Sequence, residues 1–147
     1  MNWSMLSLFS AGVLLASAPA WAQPFCGAMT KDKAAVILGC SVGEVQHRSS
    51  EELHTCSFSK DLLHSVHYAL YQEKDADSAQ KAMTEVAQGL QMLVVCEPVE
   101  GLGDAGFSCD GDRAKRLLVR KGSAWVDVIS PADFEQKKMV ATAVFEQ

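Results

Sequence analysis

Two clusters of short strand-like segments, each linked by tight turns, most restrict what this chain can become. The first covers the stretches around Val42–Arg48, Leu53–Ser59 and Ser65–Gln72. In the last of these Val66, Tyr68 and Leu70 point one way and His67, Ala69 and Tyr71 the other, the period of a strand with one buried face. The second cluster holds Phe107–Cys109, Lys115–Arg120 and Ala124–Ile129, with Asp110-Gly111 and Lys121-Gly122 as turn residues. Strands joined so closely are antiparallel, because a parallel pair needs a crossover of roughly a dozen residues.

Helical patterns separate and flank the clusters. Lys31–Leu38 reads as a first helix, with Thr30 to cap its orphan amides and Gly39 to supply a left-handed stop. Asp75–Leu93 reads as the longest, with Ala79, Met83, Val86, Ala87, Leu90 and Leu93 at helical spacing. A last helix is expected from Ser130 as cap and Pro131 at its first position, with Asp133 in the first turn and Phe134, Met139, Val140, Ala143 and Val144 beyond. A glycine-rich connection, Glu97–Gly106, joins the long helix to the second cluster. The order α-βββ-α-βββ-α predicts an α+β domain, an antiparallel sheet with packed helices.

The N-terminus reads as an export signal. Met5–Ala18 is an apolar or small run of fourteen residues, followed by Ala20-Trp21-Ala22, an A-x-A cleavage pattern. The run is too short for a stable anchor across about 30 Å of hydrocarbon. Cys26 follows Gln23-Pro24-Phe25 and lacks a lipobox context. The expectation is a signal peptide over residues 1–22 and a single α+β domain over 23–147, periplasmic or secreted in a bacterium, with no stable membrane span after cleavage.

Thirteen Lys and Arg stand against 18 Asp and Glu, a net charge of −5, with no basic cluster. That balance argues against nucleic acid, whose phosphates need clustered cations. In an oxidising compartment the five cysteines, Cys26, Cys40, Cys56, Cys96 and Cys109, are expected to pair into two bridges with one thiol left over. None forms a C-x-x-C pair, which removes the spacing signal for thiol exchange or a zinc ribbon.

Each candidate site has a structural counterpart. Gly101-Leu102-Gly103-Asp104-Ala105-Gly106 spells G-x-G-x-x-G, but a short strand and turn follow where a dinucleotide site needs a helix, so it reads as a glycine turn. His47, His54, His64 and His67 do not converge at metal-ligand spacing, since His64 and His67 fall three apart on an expected strand. Asp104, Asp110 and Asp112 lack the spacing of a calcium loop. Cys40 follows a helix stop, where the dipole disfavours a thiolate. No cofactor or metal is expected. One binding face emerges: Trp125, Asp127 and Ile129 lie opposite the core side of their strand, and Arg116, Leu118 and Arg120 share a face of the neighbouring one. If both sets fall on one side, Trp125, Asp127, Arg116 and Arg120 form an aromatic and charged surface suited to a ligand. The competing arrangement has the last helix covering Trp125 and Ile129.

Cys26 before a helix ending Leu38-Gly39, then Cys56-Ser57-Phe58, then Gly101–Phe107, then Leu117-Leu118-Val119-Arg120-Lys121-Gly122 resembles a set of small exported bacterial domains of unknown function. These occur as secreted proteins, as lipoproteins and as extracellular sensor domains of bacterial Ser/Thr kinases, and are loosely PsbP-like. The resemblance implies a disulfide-stapled sheet-and-helix sandwich with bridges Cys26–Cys56 and Cys96–Cys109 and a free Cys40, and it brings no catalytic residues. Cys40 stands outside its pattern and leaves open a Cys40–Cys56 bridge with Cys26 free, or an intermolecular disulfide. The function expected is non-enzymatic binding of an envelope component, small ligand or protein partner. The alternatives are a thiol-dependent or other periplasmic enzyme, or a structural or inhibitor-like envelope protein.

Overall fold

Thr30 sets the start of the first helix by accepting from the Lys33 amide at 3.2 Å. Gly39, at φ 66°, ends it in the left-handed conformation, and α1 therefore spans Lys31–Leu38, as the capping residues predict. The computed structural model describes Cys26 and residues 29–112 and 115–146. The signal peptide expected over residues 1–22 lies outside these.

The strands are β1 (Glu44–Ser49), β2 (Leu53–Ser59), β3 (Ser65–Gln72), β4 (Val95–Pro98), β5 (Ala105–Asp110), β6 (Lys115–Lys121) and β7 (Ala124–Ile129). They form one seven-stranded sheet in the order β1-β2-β3-β7-β6-β5-β4 with every neighbouring pair antiparallel. The two strand clusters thus join through β3 and β7 at the centre. The second cluster has four strands where the sequence suggests three. The added β4 holds only four residues and ends on Pro98, which suits an edge because proline has no amide to offer a neighbour.

The long helix α2 (Ala76–Leu90) is capped by Asp75, whose carboxylate accepts from the Ser78 amide at 2.7 Å. It stops three residues before the expected Leu93. The amides of Leu93 and Val94 both turn back to the Leu90 carbonyl, delivering the chain into β4. The last helix α3 (Phe134–Phe145) begins later than Ser130 because Asp133 and Gln136 satisfy each other's backbone in a reciprocal capping box. Ser130 is used elsewhere: its hydroxyl donates to the Ser65 carbonyl at 2.7 Å and accepts from the Ala132 amide, tying β7 to β3.

Helices cover both faces of the sheet. α1 and α3 lie over one face, where Met29, Ile37, Leu38, Val140 and Val144 pack on Phe58, Val66, Leu117, Val119, Val126 and Val128. α2 lies over the other, where Ala79, Met83 and Ala87 pack on Leu118 and Trp125. Two disulfides staple the fold. Cys26–Cys56, with Cα atoms 5.7 Å apart, ties the chain before α1 to β2, and Cys96–Cys109 ties the edge strand β4 to β5. Cys40 is free and half-buried. The pairing implied by the resemblance is the one present.

The Tyr68 hydroxyl, buried on β3, donates to the Cys26 carbonyl at 2.6 Å, and burial raises its phenol well above the ordinary 10.0. Above about pH 10 the unfolded chain loses this proton while the folded chain keeps it. Stability is therefore full below pH 10 and is expected to fall by up to about 1.4 kcal/mol per pH unit above it. Tyr68→Phe is expected to flatten that alkaline decline in denaturant titrations, and an unchanged slope would contradict the assignment.

Candidate binding face

Register decides which side chains share the candidate surface. Arg116 pairs with Ile129, Leu118 with Asp127 and Arg120 with Trp125, so the two sets of side chains lie on one side of the sheet. α2 packs on that same side. Trp125 is 3% exposed and Asp127 is 3% exposed, so neither forms the open surface expected from their positions along the strand. The cover comes from α2 and not from the last helix, because α3 follows β7 onto the opposite face. Ile129, beyond the reach of α2, stays exposed.

Each of the four residues then has a defined place. Trp125 stacks on Tyr71 with ring centroids 4.1 Å apart and 8° between planes, and its indole N–H donates to Glu73 at 3.4 Å. Three of the five N–H groups of Arg120 are engaged: Nε donates to Gln80 of α2 at 2.9 Å, while Nη1 donates to the Gly122 carbonyl and to Asp104. It fastens a glycine turn to a helix, and its side chain is largely buried in doing so. Asp127 accepts from Nε of Arg116 at 3.1 Å and from Nη2 as well. Its carboxylate is nearly enclosed, whereas the Arg116 side chain still reaches solvent.

Two of the five guanidinium N–H groups of Arg116 are thus spent on Asp127, leaving the others in a fixed orientation. Tyr71 lies close to this pair. Burial raises its phenol, the Asp127 charge raises it further, and the Arg116 charge opposes both.

α2 covers the β4–β5–β6–β7 part of this side. Over β1, β2 and β3 the same side carries Gln46, Arg48, Thr55, Ser57, His67 and Ala69, all half-buried or exposed. Ala69 has Thr55 and Asp127 as cross-strand neighbours and His67 and Tyr71 along its own strand, so its short side chain forms the low point of a polar platform. Ser57 Oγ and His67 Nδ1 lie 2.6 Å apart. Among the described residues no carboxylate hydrogen-bonds His67, so the third group that would orient it as a base for serine is lacking. Sequence alone did not bring Arg48, Thr55, Ser57, His67 and Tyr71 to this face. The alternation in Ser65–Gln72 placed His67, Ala69 and Tyr71 together, and only the β2–β3–β7 register adds the rest.

The remaining candidates resolve into structural parts. Gly101 and Gly103, both at positive φ, shape the turn between β4 and β5, and Gly106 lies within β5. The Asp104 carboxylate accepts from the Gly122 amide at 2.7 Å, and Asp110 pairs with the buried Lys137 at 3.2 Å. His64 sits in the turn before β3 and pairs with Asp61, and His54 bonds Ser49. Among the described residues no three His, Cys, Asp or Glu converge as metal ligands. A concavity of about 540 Å³ lies between α1 and α3, lined by Val36, Ile37, Met139 and Ala143 together with Lys33, Glu135 and Lys138.

No family model matches the chain, and no curated protein is similar to it. Among solved structures it is similar to a GTP binding regulator from Thermotoga maritima, at 15% identity and a TM-score of 0.49 over 81% of this chain and 89% of that one.

Proposed function

We propose that the chain is an exported, non-enzymatic domain that binds an envelope component through the uncovered half of the sheet. The observation that carries this reading is the position of Arg116 at the border of α2. A guanidinium held by a nearly enclosed carboxylate offers its remaining donors at fixed angles, so binding does not have to order a flexible side chain. Beside it stand the hydroxyls of Thr55 and Ser57, the imidazole of His67, the cation of Arg48 and the phenol of Tyr71. This set suits a polar small ligand or protein segment rich in hydrogen-bond acceptors. Export is supported by the two disulfides, which persist in oxidising compartments, and by the leader pattern of Met1–Ala22. None of the described helices is long and apolar enough to cross a membrane.

Two measurements test the proposal. N-terminal sequencing of the protein from an envelope fraction should begin at Gln23. Titrating the isotope-labelled protein with muropeptides and with fractionated soluble envelope proteins should shift amide signals of His67, Ala69 and Tyr71 first. His67→Ala and Arg48→Ala, both at exposed positions, should weaken the interaction several-fold without changing stability. Shifts confined to the α1–α3 concavity would overturn the assignment of the face.

A further inference from the structure

The two edges of the sheet are finished differently. β4 is short, ends on Pro98 and is held to β5 by a disulfide, so it offers little to a further strand. β1 has none of these guards. Among the described residues its six, Glu44–Ser49, pair in unbroken register with β2 alone, and none of them belongs to either core cluster. The Ser50 amide donates to the Leu53 carbonyl at 2.8 Å, which fixes the hydrogen-bonding phase of the hairpin. Glu44, Gln46 and Arg48 therefore turn their backbone groups toward β2, while Val45, His47 and Ser49 turn theirs outward.

We propose that β1 pairs antiparallel with β1 of a second copy of the chain, about a twofold axis at Gln46. In that register Val45 of one copy and His47 of the other exchange both backbone hydrogen bonds, and the reverse pair does the same. Glu44 then stands directly opposite Arg48 of the second copy, and Arg48 opposite its Glu44, at closely spaced positions where side chains meet. Gln46 faces its own counterpart on the axis. Charge selects this register. An axis at His47 leaves Arg48 opposite Gln46, and an axis at Val45 leaves it opposite Val42, with neither charge matched. A parallel pair in register would set like charges against each other.

Neither charge is used within one copy. Among the described residues Glu44 and Arg48 form no ion pair, and Glu44 accepts only from the side chain of Gln46 on its own strand. A foreign strand could take the same backbone bonds, but only a reversed copy of β1 matches both charges by symmetry. On the other face Val45, 39% exposed, gains His47 of the second copy as its neighbour. The axis stands perpendicular to the sheet, so the uncovered polar faces of the two copies lie side by side. A six-residue strand pair is small beside the interfaces of stable dimers, and the association is accordingly weak and reversible. It rests on the strand edge and not on the reading of the sheet face as a ligand site.

The test follows amide signals of the isotope-labelled full chain as its concentration rises to the millimolar range, with no ligand added. A Cys40→Ser background prevents an intermolecular disulfide. The Val45 and His47 amides should shift with concentration. Glu44→Arg alone and Arg48→Glu alone should each weaken dimerisation roughly tenfold, since each sets like charges opposite one another at two places. Mixing the two variants should restore the shifts, and so should both changes in one chain. Lys81→Glu, which alters the net charge as much as Arg48→Glu at an exposed position on α2, should leave them unchanged. The apolar run Met5–Ala18 is the same in every variant, so association through it does not follow the charge swap. Shifts that do not depend on concentration, single reversals without effect, or a mixture that fails to restore pairing would each overturn the proposal.

Discussion

Gly103→Ala is expected to destabilise the domain by about 3 kcal/mol or more, whereas Gly101→Ala is expected to cost only about 1 kcal/mol. Both glycines hold positive φ, 61° at Gly103 and 73° at Gly101, so both substitutions carry the penalty of the left-handed region. Space separates them. A Cβ on Gly103 would stand 2.4 Å from the Arg120 carbonyl oxygen and 2.8 Å from Val119 Cγ1, while Gly101 has nothing within 4 Å. The turn cannot slide away to relieve the clash. The Asp104 amide donates to the same Arg120 carbonyl at 2.8 Å, and the Asp104 carboxylate accepts from the Gly122 amide. Moving the turn off β6 would break both bonds and loosen Arg120 from Gln80 of α2. Equilibrium denaturation of the two variants side by side checks this. Equal losses would show that conformational preference alone decides the cost, and that backbone contact does not.

The same turn shows what sequence can and cannot supply. Glycines followed by a short strand argued for a tight turn over a nucleotide loop, and the turn is there. That its second glycine backs onto β6 is invisible until Asp104 and Arg120 are brought together across 16 residues. Local rules located α1 to the residue, because Thr30 and Gly39 act on neighbours three or four positions away. They misplaced the start of α3, where two cap sequences compete and the reciprocal Asp133–Gln136 pair prevails over Ser130-Pro131. They missed β4, whose four residues are too few to show a period and whose place is fixed by pairing with β5.

For the candidate face, alternation grouped Trp125 with Asp127 on one strand and Arg116 with Arg120 on the next, and only the β6–β7 register puts both pairs on one side. Their burial depended on which side α2 would take. A helix linking antiparallel clusters can cross either face, and the choice rests on fit. The small Ala79 and Ala87 allow α2 to approach the bulky Trp125 and Leu118 closely. Arg120 is thereby drawn into the packing, and Arg116 is left at its margin.

That margin leaves the enclosed Asp127 charge dependent on Arg116. Arg116→Met is expected to cost about 3 kcal/mol, since it leaves the Asp127 carboxylate enclosed without its cation. The figure is set at the low end for a broken buried pair because Arg116 itself reaches water. Adding Asp127→Leu should recover most of the loss, as an apolar replacement of both partners removes the unpaired charge altogether. Tyr71 supplies a reading that stability alone cannot. The chain has two tyrosines, so in a Tyr68→Phe background the phenol absorbance reports Tyr71 by itself. Arg116 opposes the rise in the Tyr71 phenol and Asp127 adds to it. Arg116→Met should therefore move its titration to higher pH and Asp127→Asn to lower pH. If both variants shift it the same way, the phenol is responding to loosened packing and not to the pair. Opposite shifts would establish that the two charges act at the edge of the open face, where an incoming acceptor would compete with Asp127 for the same guanidinium.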